Sequence, residues 1–488
     1  MMRLGDMSEV EFVEHGRRVV AWVADYLGHP ERYPVLAQVS PGAVRDALPR
    51  TPPRAGETME AILGDVDRTI IPGITHWNHP SFFAYFAITA SGPGILGELL
   101  ASALNVNSML WKTSPAATEL EELVMGWLRQ MLGLPDGLFG MIMDTASVSS
   151  LCAIAAAREA VQDHPFREEG MVGGPRLRLY TSEQAHSSIE KAGITLGLGQ
   201  RGVRKITVDR EFRMDVGALQ QAVDEDRAAG WRPFCVVATV GTTSTTSVDP
   251  VPAIADVCEA EGMWLHVDAA YGGMAAIAPE FRWALHGCDR ADSVVVNPHK
   301  WLFTPIDCSA FYCRRPDLLR GAFSLVPEYL RTAEGAQSAV HDFMNYGIQL
   351  GRRFRALKLW LVIRYFGWDG LAARIREHVR LGQELARWVD TDPDFERLAP
   401  TPFSVVCFRY FPRALRGQAG TEEEINRLNA ALLDAVNTTG QAYLSHTRLG
   451  GKFTLRMAIG NIRTTEAHVR AAWELLRITG NRLPAVER

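Results

Sequence analysis

Along the middle of the chain, short apolar runs alternate with stretches whose apolar residues recur every three or four positions. RLRLYTS (176–182) precedes SSIEKAGITLG, VRKITVD (203–209) precedes DVGALQQAVDEDRAAG, and PFCVVATVGTT (233–243) precedes DPVPAIADVCEAEG. The runs have the length and branched side chains of buried strands, and the stretches that follow have the spacing of amphipathic helices. This alternation predicts an α/β fold with a mostly parallel sheet that is covered on both faces.

The two ends of the chain have other patterns. Ser8 and Glu11 have the spacing of a capping box before an N-terminal helical pattern, and a proline-rich stretch (48–66) follows. We interpret that stretch as an arm that packs on a partner subunit, and we therefore expect a homodimer. The helical pattern at 422–437 and the strand-like FSVVCFRYF (403–411) predict a small C-terminal α+β domain. The predicted divisions are an N-terminal helical arm (1–91), a large domain (92–366) and a small C-terminal domain (367–488).

Composition narrows the class of protein. The 488 residues are 47% hydrophobic and 22% charged, as in ordinary globular proteins, and the net charge of -5 provides no basic surface for nucleic acid. No apolar run approaches the roughly 18 residues that span a bilayer, and the acidic start of the chain is unlike a signal peptide. Seven cysteines without a CxxC pair predict reduced thiols in a cytoplasmic protein and no metal site.

The segment ADSVVVNPHKWLF (291–303) contains an interior strand that ends in residues suited to chemistry. The strand stops at Pro298, which has no backbone N–H, so Lys300 follows the carboxyl end of a strand. Open α/β sheets bind their ligands at that edge. Asp268, in WLHVDAAYGG, has the same position on another strand. Taken singly, the lysine is more simply explained as a solvated residue and the aspartate as a turn cap.

Together, this lysine and aspartate satisfy two requirements of pyridoxal phosphate enzymes. A lysine holds the cofactor as a Schiff base, and a carboxylate keeps the pyridine nitrogen protonated so that the ring accepts electrons. Thr145 and Ser147 open a helical stretch whose free N–H groups could bind the phosphate. Thr243 ends a third strand, and His186 follows a fourth and offers a ring to lie on the pyridine. Each alone could be a cap or surface residue, but together the residues at the four strand ends provide the groups that pyridoxal phosphate requires.

The sequence resembles the group II pyridoxal-phosphate-dependent decarboxylases, and among them the aromatic-L-amino-acid decarboxylases. The resemblance covers nearly the whole chain. It rests on THWNHPSFFAYF, WKTSPAATELE, GTTSTTSVD, HVDAAY, NPHKWL and LGRRFRALKLW. It implies a type I aminotransferase-like fold, pyridoxal 5'-phosphate as cofactor, an aromatic L-amino acid as substrate, and an obligate homodimer with its active site at the subunit interface.

The resemblance also implies roles for individual residues. Lys300 would carry the cofactor, Asp268 would pair with the pyridine nitrogen, and His186 would stack on the ring. Tyr329, in P-x-Y-L surroundings on a loop rich in small residues, matches the catalytic loop tyrosine that protonates the α-carbon, although it could instead anchor the loop. The other cofactor-lining positions are Thr145, Ala146, Ser147, Thr243, Ala270, Asn297 and His299.

Five positions match residues that shape the substrate pocket: Trp77, Tyr85, Phe86, Met109 and Gly351. For the three aromatic residues, core packing is the alternative interpretation. The histidine decarboxylases of the family carry serine where this chain has Gly351, which leaves room and favours a large aromatic side chain over imidazole.

The chain also departs from its animal relatives. Val148 stands in place of a glutamate that follows the phosphate-binding serine, and we expect the backbone cradle to survive this change. Asn107 and Met109 replace isoleucine and phenylalanine, and Ala87 and Ile88 replace proline and threonine. Because these positions shape the pocket, the preferred ring among tryptophan, phenylalanine, tyrosine and their hydroxylated forms stays open.

The predicted reaction is decarboxylation of an aromatic L-amino acid to its amine and CO2. The nearest alternative is an aromatic acetaldehyde synthase, which also deaminates oxidatively with O2. That activity is associated with phenylalanine at the loop position or a replaced stacking histidine, and both Tyr329 and His186 argue against it. A transaminase would leave Tyr329 unexplained. A non-catalytic amino-acid-binding homologue would be favoured by loss of Lys300 or Asp268, and both are present.

Overall fold

The computed structural model describes residues 5–327, 330–336, 340–417 and 422–483. The chain forms two compact units. The large unit contains Phe86–Arg409 and Ala458–Ile462, and the small unit contains the chain up to Tyr85, Tyr410–Met457 and the chain from Arg463 onward. Both units are built from separated segments, whereas the predicted domains are continuous; the boundaries at 91 and 366 stay a prediction.

Helices occur in both units. Those of the large unit are α4 (Gly92–Leu104), α5 (Pro115–Leu132), α6 (Ala146–Glu159), α7 (Phe166–Glu169), α8 (Ser187–Thr195), α9 (Val216–Ala228), α10 (Val251–Glu261), α11 (Pro298–Trp301), α12 (Pro316–Phe323), α13 (Ala333–Ala336) and α14 (Arg355–Thr391). Those of the small unit are α1 (Glu9–Gly28), α2 (Ala43–Asp46), α3 (Met59–Asp65), α15 (Glu422–Thr438) and α16 (Glu466–Arg482). Within the described ranges, no helix is long and apolar enough to cross a membrane.

Seven strands of the large unit form one sheet, and two further strands, which are not part of it, follow them in the chain. The sheet contains β1 (Phe139–Met143), β2 (Leu177–Ser182), β3 (Val203–Ile206), β4 (Arg232–Thr239), β5 (Trp264–Asp268), β6 (Ser293–Val296) and β7 (Ser309–Cys313), and the chain continues with β8 (Phe395–Arg397) and β9 (Val405–Tyr410). The last two strands are β10 (Ser445–Leu449) and β11 (Lys452–Ala458), which pair antiparallel.

The seven-stranded sheet has the order β1-β7-β6-β5-β4-β2-β3. Strands β2 to β6 are mutually parallel, and β7 runs antiparallel to both of its neighbours, β6 and β1. Six strands therefore present their carboxyl ends to one edge, and β7 presents its amino end there. The predicted mostly parallel α/β sheet is confirmed, and the reversed β7 is a feature that the alternating pattern does not reveal.

The core of the large unit lies on the faces of this sheet. Val237 on β4, Val295 on β6 and Phe311 on β7 are 0% exposed, and the alanine-rich helix α6 packs in the same cluster. On the carboxyl edge, the turns after β4 and β5 meet backbone to backbone. A Cβ on Gly241, which has φ +88°, would lie 2.8 Å from the backbone nitrogen of Gly272. Only glycine permits this approach, which brings the Thr243 turn beside the turn that follows Asp268.

The small unit confirms two local predictions. Ser8 and Glu11 form the predicted capping box of α1: Glu11 N–H donates to Ser8 Oγ at 3.3 Å, and Ser8 N–H donates to Glu11 Oε2 at 2.9 Å. The helical pattern at 422–437 corresponds to α15.

The long helix α14 starts inside one of the family motifs. The motif LGRRFRALKLW begins at residue 350, but α14 begins at Arg355. The backbone before it is bonded elsewhere, since Arg352 N–H donates to Asn107 Oδ1 at 2.9 Å and Ser108 Oγ donates to the carbonyls of Arg352 and Arg353 at 3.1 Å. These tertiary bonds replace the first helical turn.

Candidate active site

Asp268 and Lys300 are joined by a short series of hydrogen bonds at the carboxyl edge of the sheet. Asp268 ends β5, is 5% exposed, and its Oδ1 accepts the N–H of Ala270 at 3.1 Å. The Ala270 carbonyl accepts the N–H of Asn297 at 3.1 Å, and the Asn297 carbonyl accepts the N–H of Lys300 at 2.9 Å. The carboxylate therefore caps its own turn, as the simpler interpretation predicted, and is also fixed relative to the lysine.

A second series of bonds connects this loop to the start of α6. Ser309 Oγ, at the amino end of β7, donates to Asn297 Oδ1 at 2.7 Å and lies 3.0 Å from Ser149 Oγ. Ser149 Oγ donates to the carbonyl of Thr145 at 3.2 Å. Because both serines are 0% exposed, water does not compete for these bonds. The lysine loop and the predicted phosphate-binding turn are thus held together through the reversed strand.

The start of α6 has the features of an anion site. Thr145 is its N-cap residue with extended backbone, and its side chain makes no capping bond. The first N–H groups of a helix have no intrahelical acceptor, so those of Ala146 and Ser147 can donate to a phosphate. Val148 is partly buried and packs against the core, and the survival of the backbone cradle without the family's glutamate stays a prediction.

His186 is the N-cap residue of α8, as its simpler interpretation predicted. Its Nδ1 accepts the N–H of Ser188 at 3.2 Å, so the neutral ring carries its proton on Nε2. The pKa of His186 lies below its ordinary value because loss of water around the ring and the charge of Lys300 outweigh the attraction of Asp268. A neutral imidazole is therefore placed within the field of both groups.

His299 is a buried, neutral neighbour of the lysine. It is 4% exposed. Its ring Nδ1 accepts the backbone N–H of Cys308 at 3.0 Å, and its backbone N–H donates to the Cys308 carbonyl at 3.3 Å. Burial and the charge of Lys300 lower the pKa of His299 to about 3. At neutral pH this ring fixes the shape of the loop and adds no positive charge to it.

Stacked aromatic rings flank the lysine. Lys300 Nζ lies 5.1 Å from the ring centroid of Phe86, and Phe86 stacks on Tyr271 at 3.9 Å. Tyr271 stacks on Trp301 at 4.6 Å with an interplanar angle of 5°, and Trp301 Nε1 donates to His378 Nδ1 at 3.0 Å. Tyr271 and Trp301 are almost fully buried, so they support Phe86 from the interior. The lysine therefore faces an apolar, aromatic surface.

A buried ion pair positions the Met109 and Gly351 segments. Arg352 donates from its guanidinium to Glu121 Oε1 at 2.6 Å, to the Ile142 carbonyl at 2.8 Å and to the Ser108 carbonyl at 3.2 Å. The arginine and glutamate side chains are 5% and 2% exposed. Arg352 follows Gly351 and binds the residue before Met109, so these two predicted substrate positions are held by one side chain.

Arg355, the first residue of α14, joins two further turns of the edge. It pairs with Asp144 at 2.6 Å and with Asp307 at 2.7 Å. Asp144 precedes Thr145, and Asp307 precedes the cysteine that binds His299. Arg355 is 7% exposed, which strengthens both ion pairs relative to surface pairs.

The remaining predicted substrate residues, Trp77 and Tyr85, belong to the small unit. Trp77 stacks on Phe82 at 4.3 Å, which agrees with the core-packing interpretation, whereas Tyr85 is 52% exposed and does not pack as a core residue.

Tyr329 lies outside the described residues. Its neighbour Leu330 is 5% exposed and packs in a small cluster with Leu110 and Met344, to which Met109 also packs. Leu330 N–H donates to the Pro327 carbonyl at 3.0 Å. Leu330 therefore anchors this loop beside Met109.

These residues fit pyridoxal phosphate. The edge provides a lysine amine, a buried carboxylate fixed on the adjacent strand, and a helix start with free N–H groups and no side-chain cap, which are the three contacts that the cofactor requires. Thr243, exposed on the turn after β4, and Asn297 provide further polar groups at the same edge.

Comparison with known proteins agrees with this donor set. The model of the pyridoxal-dependent decarboxylase conserved domain matches residues 41–411. The chain belongs to the pyridoxal-dependent decarboxylase family. Tryptophan decarboxylase 2 of Oryza sativa subsp. japonica is 40% identical over 482 residues, which are 97% of this chain and 95% of that protein. Phenylacetaldehyde synthase of Arabidopsis thaliana is also 40% identical over 482 residues, 97% of this chain and 96% of that protein.

A solved structure extends the comparison to three dimensions. Oryza sativa TDC crystallised with PLP and tryptamine has a TM-score of 0.94 and 38% identity, and the match covers 98% of this chain and 99% of that chain. The protein is thus a pyridoxal-phosphate-dependent decarboxylase with the expected fold.

Sequence reasoning missed several residues of this site. Tyr271 and Trp301 stand inside the motifs HVDAAY and NPHKWL but received no role, because the stack of Phe86, Tyr271 and Trp301 brings together three separate segments. Ser309 and Arg355 were also missed. The signal for Arg355 was available, since an arginine among the apolar residues of RALKLW needs an acidic partner if that helix is buried.

Proposed function

We propose that this decarboxylase acts on an aromatic L-amino acid and releases CO2 and the corresponding amine. The observation that carries the proposal is the aromatic surface beside the lysine, where Phe86 lies 5.1 Å from Lys300 Nζ and is backed by Tyr271. An aromatic substrate ring gains both apolar burial and stacking on such a surface. The relatives, among them a tryptophan decarboxylase, support the same substrate class.

Each predicted site residue has a physical task in this reaction. When bound, pyridoxal phosphate supplies the electron sink that accepts the electrons left behind by CO2. Lys300 Nζ would hold the cofactor, and the N–H groups of Ala146 and Ser147 would bind its phosphate. Asp268 would keep a proton on the pyridine nitrogen, because a buried carboxylate beside a cation favours the charged pair. The neutral ring of His186 would lie on the cofactor and hold its plane.

The rival function is the aldehyde-forming reaction, and one relative carries that name. Two features support the amine instead. His186 is retained, and Tyr329 provides a phenol O–H that would deliver a proton to the α-carbon. Closure of the loop around Leu330 would keep water and oxygen away from that carbon.

The test is a substrate panel. The cofactor-loaded protein is incubated separately with tryptophan, phenylalanine, tyrosine and their hydroxylated forms, and products are identified by mass spectrometry. Amine from at least one of them supports the proposal. Aldehyde with an equal amount of hydrogen peroxide would assign the synthase function, and no product from any would exclude an aromatic substrate.

We further propose a homodimer with the active site at the subunit interface. Two exposed apolar helix faces support it: Leu96, Leu99 and Leu100 on α4 are each at least 50% exposed, and Val10, Val13 and Val20 on α1 are 76%, 43% and 51% exposed. Contiguous exposed apolar faces of this kind often mark protein–protein interfaces. Light scattering should give twice the chain mass of 54.0 kDa, and Leu99→Glu should give the monomer with loss of turnover.

We also propose a cellular location and a division into domains. A cytoplasmic location is supported by seven free cysteines, all buried, and would be tested by fractionation of cells that express the protein. The division into 1–91, 92–366 and 367–488 would be tested by limited proteolysis.

A further inference from the structure

Ser309 joins two parts of the candidate site. It begins β7 and pairs in register with Met143, the last residue of β1, so it lies at the edge where the other strands present their carboxyl ends. Its hydroxyl contacts Asn297, which precedes the lysine on its loop, and Ser149 in the first turns of α6. Ser309 and Ser149 are 0% exposed, and Asn297 is 2% exposed. The hydroxyl of Ser309 is therefore a buried contact between the lysine loop and the predicted phosphate-binding turn.

The hydroxyl protons of the two serines are donated in one direction. Ser309 has a single proton, which it donates to Asn297 Oδ1 at 2.7 Å. Towards Ser149, 3.0 Å away, Ser309 can therefore only accept, and the single proton of Ser149 is shared between Ser309 Oγ and the Thr145 carbonyl at 3.2 Å. In a buried series of this kind, each bond polarises the next. The series ends on the oxygen of the Asn297 amide.

This arrangement decides which group of the Asn297 side chain is left for a ligand. The backbone of Asn297 is already fixed, because its N–H donates to the Ala270 carbonyl and its own carbonyl accepts the N–H of Lys300. Within the described residues its side chain bonds Ser309 alone, so the amide N–H2 has no protein acceptor there. Buried polar groups in native proteins are normally hydrogen-bonded. The N–H2 group therefore indicates a ligand at this edge that accepts hydrogen bonds.

We propose that Ser309 is a positioning residue for the phosphate of the cofactor. By holding Asn297 Oδ1, it presents the amide N–H2 to a phosphate oxygen. Through Ser149 it also fixes the Thr145 carbonyl, at the turn whose free N–H groups would bind the same phosphate. The inference rests on the proposed phosphate position at the start of α6 and is independent of the proposed substrate. Ser309 itself touches neither the phosphate nor the reacting atoms in this scheme.

Two forms of the cofactor isolate the contribution of the phosphate. Pyridoxal has the same ring and aldehyde as pyridoxal 5'-phosphate but no phosphate group. Ser309→Ala leaves Asn297 Oδ1 without its donor and lets the amide rotate, so the dissociation constant of pyridoxal 5'-phosphate should rise about five- to thirtyfold. The dissociation constant of pyridoxal should change by less than about twofold, because pyridoxal lacks the group that the amide would bind. Both constants are measured by equilibrium dialysis of the full-length protein after removal of bound cofactor.

Ser293→Ala is the matched control. Ser293 begins β6, is 0% exposed like Ser309, and also has two partners: its Oγ accepts the N–H of Trp264 Nε1 at 2.9 Å and lies 2.9 Å from His266 Nδ1. It pairs with Cys313 at the far end of β7, so it lies at the opposite edge of the sheet. Its loss should lower the melting temperature, as the loss of Ser309 does, but leave both dissociation constants within about twofold of the wild type.

A second variant tests the same series of bonds if Ser309→Ala does not fold. Ser149→Ala keeps the bond from Ser309 to Asn297 and removes the link to Thr145. The dissociation constant of pyridoxal 5'-phosphate should therefore rise by a smaller factor, about two- to fivefold, and that of pyridoxal should stay the same.

The outcomes separate this inference from the proposed function. A rise for pyridoxal 5'-phosphate alone, in Ser309→Ala or Ser149→Ala but not in Ser293→Ala, supports the positioning role whatever amino acid the enzyme decarboxylates. Equal rises for the two cofactor forms would overturn it, as would equal rises in Ser309→Ala and Ser293→Ala or unchanged affinities in a wild type that prefers the phosphorylated form. Equal affinity of the wild type for both forms would overturn the proposed phosphate site, and this inference with it.

Discussion

The buried pair of Glu121 and Arg352 should contribute strongly to the stability of the large unit. Glu121→Gln keeps the size of the side chain and an oxygen for the Ile142 N–H, which Glu121 Oε1 accepts at 2.8 Å, but it removes the negative charge. Arg352 then remains 5% exposed without its counter-charge. Breaking a buried pair in this way costs about 3–5 kcal/mol, and the lower end applies here because the guanidinium keeps two carbonyl acceptors.

This cost translates into a measurable shift. If the large unit unfolds as one body of about 330 residues, its unfolding entropy is about 0.7 kcal/mol/K, and a loss of 3–5 kcal/mol lowers the melting temperature by about 4–7 °C. The assay is differential scanning calorimetry of the cofactor-loaded protein.

The adjacent residue provides the control. Glu122→Gln is the same substitution one position along, where the carboxylate pairs with His341 and both side chains are at least 40% exposed. An exposed pair contributes at most about 1 kcal/mol, so this variant should melt within about 1–2 °C of the wild type. Equal melting temperatures for Glu121→Gln and Glu122→Gln would refute the reasoning. It would also be refuted if the losses of unfolding free energy in Glu121→Gln and Arg352→Met added strictly in the double variant.

Four further outcomes are expected. Lys300→Ala should lose the visible absorbance of bound cofactor and all turnover, as read by spectroscopy and an amine assay. Tyr329→Phe should retain CO2 release but divert product to aldehyde; amine at the original rate would remove the proton-donor role. Arg355→Met should weaken cofactor retention at least tenfold in equilibrium dialysis, because the turns at Asp144 and Asp307 lose their common partner. His266 is buried, and burial lowers its pKa to about 4, so it makes folding less favourable as pH falls from 6.5 towards 4. His266→Gln should therefore reduce the slope of unfolding free energy against pH in that range by up to about 1.4 kcal/mol per pH unit.

The strand ends and their chemistry were predictable because they depend on local sequence. A run of branched residues ended by Pro298 gives β6 and the position of Lys300, and the same reasoning gives Asp268 on β5. These two residues came together because parallel neighbours share one edge. The predicted roles of the site residues stay predictions, and Tyr329 is outside the described part of the chain.

The sequence could not provide the contacts between distant segments. The stack of Phe86, Tyr271 and Trp301 joins three separate stretches, and no periodicity marks it. The late start of α14 has the same origin, since Asn107 and Ser108 take the backbone bonds of the first turn. Tyr85, whose φ of +50° lies in the left-handed region, donates its N–H to Ser445 Oγ, and no local pattern relates these two residues.

The position of β1 has a consequence for biosynthesis. β1 is the edge strand of the sheet, and its neighbour there is β7; Ser149 and Ser309, which join the two regions, are 160 residues apart. At about 5–20 residues per second, the ribosome needs roughly 10–30 s to supply that partner. The predicted phosphate-binding helix start therefore acquires its final support late in translation, and we expect the nascent chain to capture its cofactor only after most of the large unit has emerged.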